Sequence, residues 1–533
     1  MAQRGGAVAL GLLCEEPRHG GCGAGLMGGI RTPVPAVDPS WLQGLELLSE
    51  GRALARDWHV EPRAFLKTHD VACEADHKTA VAQSGRIMQH AQVGFRDPGK
   101  TRRAFAEIYD ACQARGVTVD RYGICLDWSM AVPRADRDRA QTGTGLILSG
   151  AEDFVSLGEA APVAPHFGDF VLGFPAAVEN TQAALAAGST AIGNLGQYFT
   201  FRAPGFEDDV VATEATLRAL GLIAAQERTV LVHSNLDDGF AAQFTDLASC
   251  LGAVLLEQDI FGRLAGCTVS HCYGHHFTDP VRRMAFQLAL AEVNNQPGTM
   301  IYGSTMSYQG TPAENYASLG SYLMTDALGQ MHKPSGHAIN PVPVMENNRI
   351  PDVDEIVDAQ LFAHRMVEEV HAFRNLVDVE AAQKLAIALV AGGRTFFRNV
   401  QTGFADAGID TDDAFQMMIA LRRMGGHALE TAFGAGEVAV EGKYRTPVVQ
   451  ASLVDEIDAM AAAALSRVPG SMRNALQSCD LHVLTASTDV HAHGKMALDS
   501  FLMSLGVEVL DGGMTADAKV LADTARDQNA DAI

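Results

Sequence analysis

Eight short apolar runs recur between residue 86 and about residue 345, with helix-like stretches between them, and this rhythm constrains the fold more than any other feature. The runs are Arg86–Gly94, Tyr122–Trp128, Ala161–His166, Thr190–Asn194, Thr229–His233, Gly266–His271, Gly298–Ser304 and a weaker one at Ala327–Lys333. Helical spacing fills gaps at Lys100–Arg115, Thr213–Gln226, Asp279–Val293 and Thr311–Leu328. Alternation of this kind predicts parallel strands, because a helical crossover returns the chain to the same end of the sheet. Eight units are what a (β/α)8 barrel of the TIM type requires. A doubly wound open sheet is the competing arrangement. The count of eight, and the lack of a Gly-x-Gly-x-x-Gly after the first run, favour the barrel.

The flanks have other characters. Residues 1–84 read as an N-terminal helical extension, with helices at Ser40–Asp57 and Asp76–Arg86. The barrel is assigned to 85–350. Residues 351–475 form a helical region packing on it, with apolar spacing near 3.6 in Asp352–Phe373, Val379–Phe397, Asp412–Gly425 and Val454–Ser466. Pro469-Gly470 breaks a helical run near the next boundary. From 476 to 533 the pattern is βαβαβ: a strand at His482–Ser487, a turn at Asp489–Lys495, a helix at Met496–Leu505, a strand at Val507–Asp511, a helix at Ala516–Gln528 and the start of a third strand at Ala530–Ile533. That is the opening of a flavodoxin-like domain.

Composition narrows the partners. The 533 residues carry 64 acidic against 40 basic side chains, net −24, which argues against nucleic acid. The nine cysteines contain no C-x-x-C pair, so neither a disulfide framework nor a structural zinc site is indicated. No apolar run reaches a membrane span, and the N-terminus lacks a cleavable-leader pattern, so the expected compartment is the cytoplasm. A small-molecule substrate, and a homodimer or pairing with a further subunit, are the expected associations.

Polar residues gather at the ends of the runs. They are His90, Gln92, Asp127, His166, Asn194, Tyr198, His233, Asn235, His271, Tyr273, His275, His276, Ser304, Tyr308, Lys333 and His337. Histidines rarely collect at strand ends by accident. Asn194, Tyr198, His271 and His337 are the catalytic candidates. Gln92, Asp127, His166, His233 and Tyr273 are the substrate-binding candidates. His271-Cys272-x-x-His275-His276 does not make a metal set, since neighbours along a strand face opposite ways.

Asp489-x-His491-x-x-Gly494 follows a buried-type strand and precedes a helix, where open α/β sheets bind ligands. A histidine there can offer a ring nitrogen to a metal, and a carboxylate two residues earlier can take its other N–H. Gly494 lets the backbone lie close under a flat ligand. His491 has better spacing from Asp489 than His493 does.

Residues 482–533 resemble the start of the cobalamin-binding domain of B12-dependent mutases and methionine synthase. The resemblance implies His491 as the cobalt ligand, Asp489 as its support and Gly494 as the loop glycine. The family continues with a Ser-x-Leu segment and later a Gly-Gly turn that hold the nucleotide tail. The sequence reaches Ile533 before either place, and Gly512-Gly513 comes too early to be that turn, so the domain reads as incomplete. The region from about 85 to 400 resembles the catalytic subunit of glutamate mutase (methylaspartate mutase). Ile192–Tyr198, Thr268–His275, Tyr308–Glu314 and Lys333–Pro343 carry this resemblance. It implies an adenosylcobalamin-dependent carbon-skeleton mutase, with Lys333 and His337 also on the cofactor.

The substrate clamp differs from the family's. Gln92 and His166 stand where arginines hold carboxylates, Leu195 stands for the acid that meets the substrate amine, and His337 for an acid on the adenosyl ribose. The expected substrate is therefore a small acid or amino acid other than glutamate. A corrinoid-dependent methyltransferase and a non-catalytic corrinoid-binding protein are the alternatives. A pyridoxal-phosphate aminomutase lacks a convincing Schiff-base lysine.

Overall fold

The computed structural model describes residues 24–27, 30–38, 40–203, 205–206, 208–305, 307–439, 445–487, 493–512 and 518–533. Strand and helix alternate through its centre as the sequence rhythm predicts. The strands are β1 (Met88–Val93), β2 (Arg121–Ile124), β3 (Ala164–Phe167), β4 (Ala191–Ile192), β5 (Leu231–Asn235), β6 (Thr268–Cys272), β7 (Met300–Ile301) and β8 (Ala338–Ile339). All pair in parallel, in the order β6-β5-β4-β3-β2-β1-β8-β7. A single parallel bridge between Tyr273 and Ile301 brings β6 alongside β7, so the barrel is nearly closed.

The expected eighth strand is corrected. Ala327–Lys333 is the end of a helix, Pro312–His332, in which Leu319, Leu323 and Ala327 are buried at helical spacing. Pro334 stops that helix, and the true last strand is two residues long.

Among the described residues three helices precede the barrel: α1 (Gly44–Leu54), a short one at Ala64–His69, and α2 (Glu74–Gln83). The ring comprises α3 (Pro98–Gln113), α4 (Ala151–Gly158), α5 (Ala177–Ala186), α6 (Asp209–Ala224), α7 (Leu247–Glu257), α8 (Pro280–Val293), α9 (Pro312–His332) and α10 (Val353–Phe373). The last of these packs between α9 and α3 and completes the ring. Beyond it, α11 (Glu380–Asp406) lies on α7 and α8, and α12 (Ala414–Met424) lies on α6. On the other flank, α1 meets α6 at very short range. A Cβ on Gly51 would stand 2.0 Å from the Arg218 carbonyl oxygen, so only glycine permits that crossing.

α2 closes the amino-terminal end of the barrel. Lys78 Nζ donates to the carbonyls of Thr299 (2.9 Å) and Gly336 (3.3 Å), and Glu74 pairs with Arg121 at 2.8 Å inside. Glu74 Oε1 faces both Arg121 Nε and Lys78 Nζ (3.5 Å), so its buried carboxylate is offset by two cations. The plugged end leaves the carboxyl ends of the strands as the open face.

The chain continues through α13 (Ser452–Ser466) into a small α/β unit. There β9 (His482–Thr485) pairs in parallel with β10 (Glu508–Asp511), and Val483 bridges in parallel to Ala532 on its other edge. Its helices are α14 (His493–Ser504) and α15 (Ala518–Asp527), and α13 packs against α14. Among the described residues no helix is long and apolar enough to cross a membrane.

Candidate functional site

Register decides which strand residues face inward. Gln92, Gly123 and His166 stand level on β1, β2 and β3, and His90 stands level with Arg121 one layer below. Paired residues of a parallel sheet share a face. The barrel axis is therefore filled from below by Arg121 and His90, then by Gln92, His166 and His233. Above them opens a cavity of about 630 Å³. Its wall includes Asp169, Asn194, Gln197, Asp237, Asp238 and Glu346 from loops beyond the strands.

The histidines of this column are neutral acceptors. His90 Nε2 lies 2.9 Å from Gln92 Oε1 and must donate to it. His166 Nδ1 lies 3.0 Å from the Ala191 carbonyl, so it carries the proton and leaves a lone pair on Nε2. His233 Nδ1 lies 2.8 Å from Thr299 Oγ1, whose hydroxyl donates to the His271 carbonyl; His233 is thereby fixed in the same tautomer. Burial, and then the Arg121 charge, hold the pKa of all three well below the usual histidine value.

The carboxylates behave differently from one another. Asp169 Oδ1 and Asp238 Oδ2 both face Gln197 Nε2, at 3.3 and 3.5 Å, and Asn194 Nδ2 donates to Asp238 at 2.6 Å. Burial and the Asp238 charge push the Asp169 carboxyl up to about 7. Burial raises Glu346, on the open side of the cavity, to about 7 as well. Asp237 goes the other way. Burial would raise it, but the hydrogen bond and charge of His276 hold it below the usual carboxylate range. It also accepts the backbone N–H groups of His275 (2.9 Å) and His276 (3.0 Å), which fixes the loop after β6.

A lid element crosses this loop. Ser452, at the start of α13, donates to the His276 carbonyl at 3.1 Å and accepts from Thr278 N. Thr278 also bonds Glu456, and Met460 of α13 lines the cavity.

Of the residues singled out in the sequence, Gln92, His166, Asn194, His233, Asn235, His275 and His276 reach the cavity wall. Others are placed elsewhere. His271 pairs with Ser234, one step off the inward His233, and so turns outward to Glu257 (3.0 Å) and Asn294. Tyr273 is likewise outward, against Phe277, Phe286 and His337. His337 precedes inward Ala338 and bonds Ser335 at 2.8 Å, outside the cavity wall. Tyr198 is buried, with its hydroxyl on Thr213 and its ring under Arg422. Asp127 caps its own loop through Ser129 N and Gly145 N. Lys333 pairs with Glu292 at the surface, at the end of the ring where helices finish and strands begin.

Asp489 and His491 lie outside the described residues. Gly494 is described and exposed, with no atom within 4 Å of where a Cβ would stand. Asp169, Gln197, Asp238 and Glu346 were not among the sequence candidates. They sit in loops two or more residues past the strands, and only the Asp237-Asp238 pair offered a visible signal. No protein-family model and no curated protein matches the chain.

Proposed function

We propose that this chain is an adenosylcobalamin-dependent carbon-skeleton mutase, with the substrate in the barrel cavity and the corrinoid on the C-terminal unit. The observation that carries this reading is the position of α13. It lines the cavity through Met460, and it packs on α14, the helix that follows the Asp489–His491 stretch. A cofactor held at the carboxyl end of β9 would then be joined to the mouth of the barrel by a single rigid element.

The residues present suit that role. In sequence the stretch follows β9, and open α/β sheets bind ligands beyond the carboxyl ends of strands; among the described residues nothing stands within 4 Å of where a Cβ on Gly494 would be. His491 would offer a ring nitrogen to cobalt, and Asp489 would take the other ring N–H. Bound there, the cofactor supplies radical chemistry through homolysis of its cobalt–carbon bond. The chain's own contribution is to hold the substrate. Asn194 and Gln197 orient the Asp169–Asp238 pair, and α13 borders the cavity through Met460.

The test is the visible spectrum of adenosylcobalamin titrated with the full chain and with His491→Ala. Binding with loss of the base-on spectrum for the wild type alone supports the reading. An unchanged base-on spectrum with both proteins overturns it. Anaerobic EPR with candidate substrates then separates a mutase from a methyltransferase, because only the mutase yields a substrate-dependent radical signal.

A further inference from the structure

The cavity wall has a one-sided chemistry. Four carboxylates line it, and among the described residues no lysine or arginine does. The buried Arg121 stands two residues below Gly123 on β2 and is committed to Glu74 at 2.8 Å. A substrate carboxylate would meet Asp169, Asp238 and Glu346 with no lysine or arginine among the described lining residues to receive it, a costly arrangement away from bulk water.

A second feature is independent of the carboxylates. His166 is only 2% exposed, its Nδ1 is used by the Ala191 carbonyl, and among the described residues its Nε2 lone pair has no hydrogen-bond partner. That nitrogen points up the barrel toward Gly168, part of the cavity wall, where a Cβ would stand 2.4 Å away. Glycine at 168 leaves the acceptor open. His233 adds a second acceptor nitrogen, its tautomer fixed through Thr299. The amide donors nearby, on Asn194 and Gln197, are occupied by the carboxylates. Where Asp169, Asp238, His166 and His233 meet the cavity, a ligand would therefore find acceptors.

We propose that the cavity selects a small amine, its ammonium group held by Asp169 and Asp238 and its further N–H or O–H donors accepted by His166 and His233. Burial and the Asp238 charge push the Asp169 carboxyl up to about 7, and an ammonium group placed between the two carboxylates would relieve that crowding. This inference rests on the cavity being the substrate site, and it changes the expected substrate from an acid to a base.

Isothermal titration of the full chain with butylamine, ethanolamine and glutarate, with and without adenosylcobalamin, tests it. The amines are expected to bind and glutarate is not. Asp169→Asn and Asp238→Asn should each weaken ethanolamine about tenfold, the usual cost of one charge-assisted hydrogen bond. Tighter binding of glutarate than of ethanolamine overturns the proposal, as does failure of the wild type to bind either amine. Unweakened binding by both folded variants also overturns it. If the Asn variants fail to fold, the charge preference of the wild type still decides. Amine binding without any corrinoid effect would sink the mutase reading alone; corrinoid binding without amine binding would sink this inference alone.

Discussion

Arg283 and Asp326 form a fully buried, two-pronged ion pair between α8 and α9, with N···O distances of 2.5 and 2.8 Å. The same guanidinium donates to the carbonyls of Gly274 (2.6 Å), Phe277 (3.1 Å) and Tyr302 (2.7 Å). It therefore ties together the loops after β6 and β7, which carry His275, His276 and Tyr302 to the cavity. A planar fork is needed to serve a carboxylate and three carbonyls at once.

Arg283→Ala should cost on the order of 3–5 kcal/mol, because it strands a buried carboxylate and frees two loops. Arg283→Lys should recover only part of this. Urea unfolding of both variants checks the claim, and a loss below about 1 kcal/mol for the alanine would show that the pair does not hold the loops.

Asp169 gives stability an unusual pH dependence. Its folded pKa of about 7 lies above its ordinary 3.8, so the native state holds this proton longer than the unfolded chain does. The contribution is complete below the ordinary value and is lost as pH rises toward about 7, after which it is flat. Asp169→Asn should remove that slope. Discounting for water in the cavity, the wild type should lose on the order of 1–3 kcal/mol relative to the variant across the window. Denaturant titrations at about pH 5 and about pH 8 measure the difference. Parallel changes in the two proteins would refute the assignment.

These sites also show what the sequence could reveal. The strand at Leu231–Asn235 was legible because the apolar run Val230-Leu231-Val232 leads into it, as expected of a buried parallel strand. The two-residue β8 was not, since Ala338–Ile339 is too short to show a period, whereas the apolar end of α9 resembled a strand. Strand-end polarity located His166, His233 and Gln92. It could not tell inward His233 from outward His271, because facing depends on register between strands far apart in sequence. Asp169, Asp238 and Glu346 come from loops, whose course the chain pattern does not encode.

Gly168 is the most economical place to block the proposed acceptor. Alanine there would put a methyl group within 2.4 Å of His166 Nε2, and the ring is held behind by the Ala191 carbonyl. Gly168→Ala should cost about 1–3 kcal/mol through overpacking, and should remove ethanolamine binding while the protein stays folded. Calorimetry paired with a thermal melt reads both quantities. Retained affinity in a folded variant would mean that His166 does not meet the ligand.

Ser452 links the mouth to the C-terminal unit. Its hydroxyl bridges the His276 carbonyl and Thr278 N, and it begins the helix that carries Met460 and packs on α14. Ser452→Ala removes both bonds at a cost of about 1–2 kcal/mol, too little to unfold a barrel of this size. The loss should be local. Hydrogen exchange of the segment after β6 and of α13 should quicken, while α2, at the plugged end with Lys78 and Glu74, should exchange as before. Adenosylcobalamin bound to the C-terminal unit should slow the same segment in the wild type and have less effect in the variant. Equal protection in both would mean that α13 covers the cavity without coupling the two units.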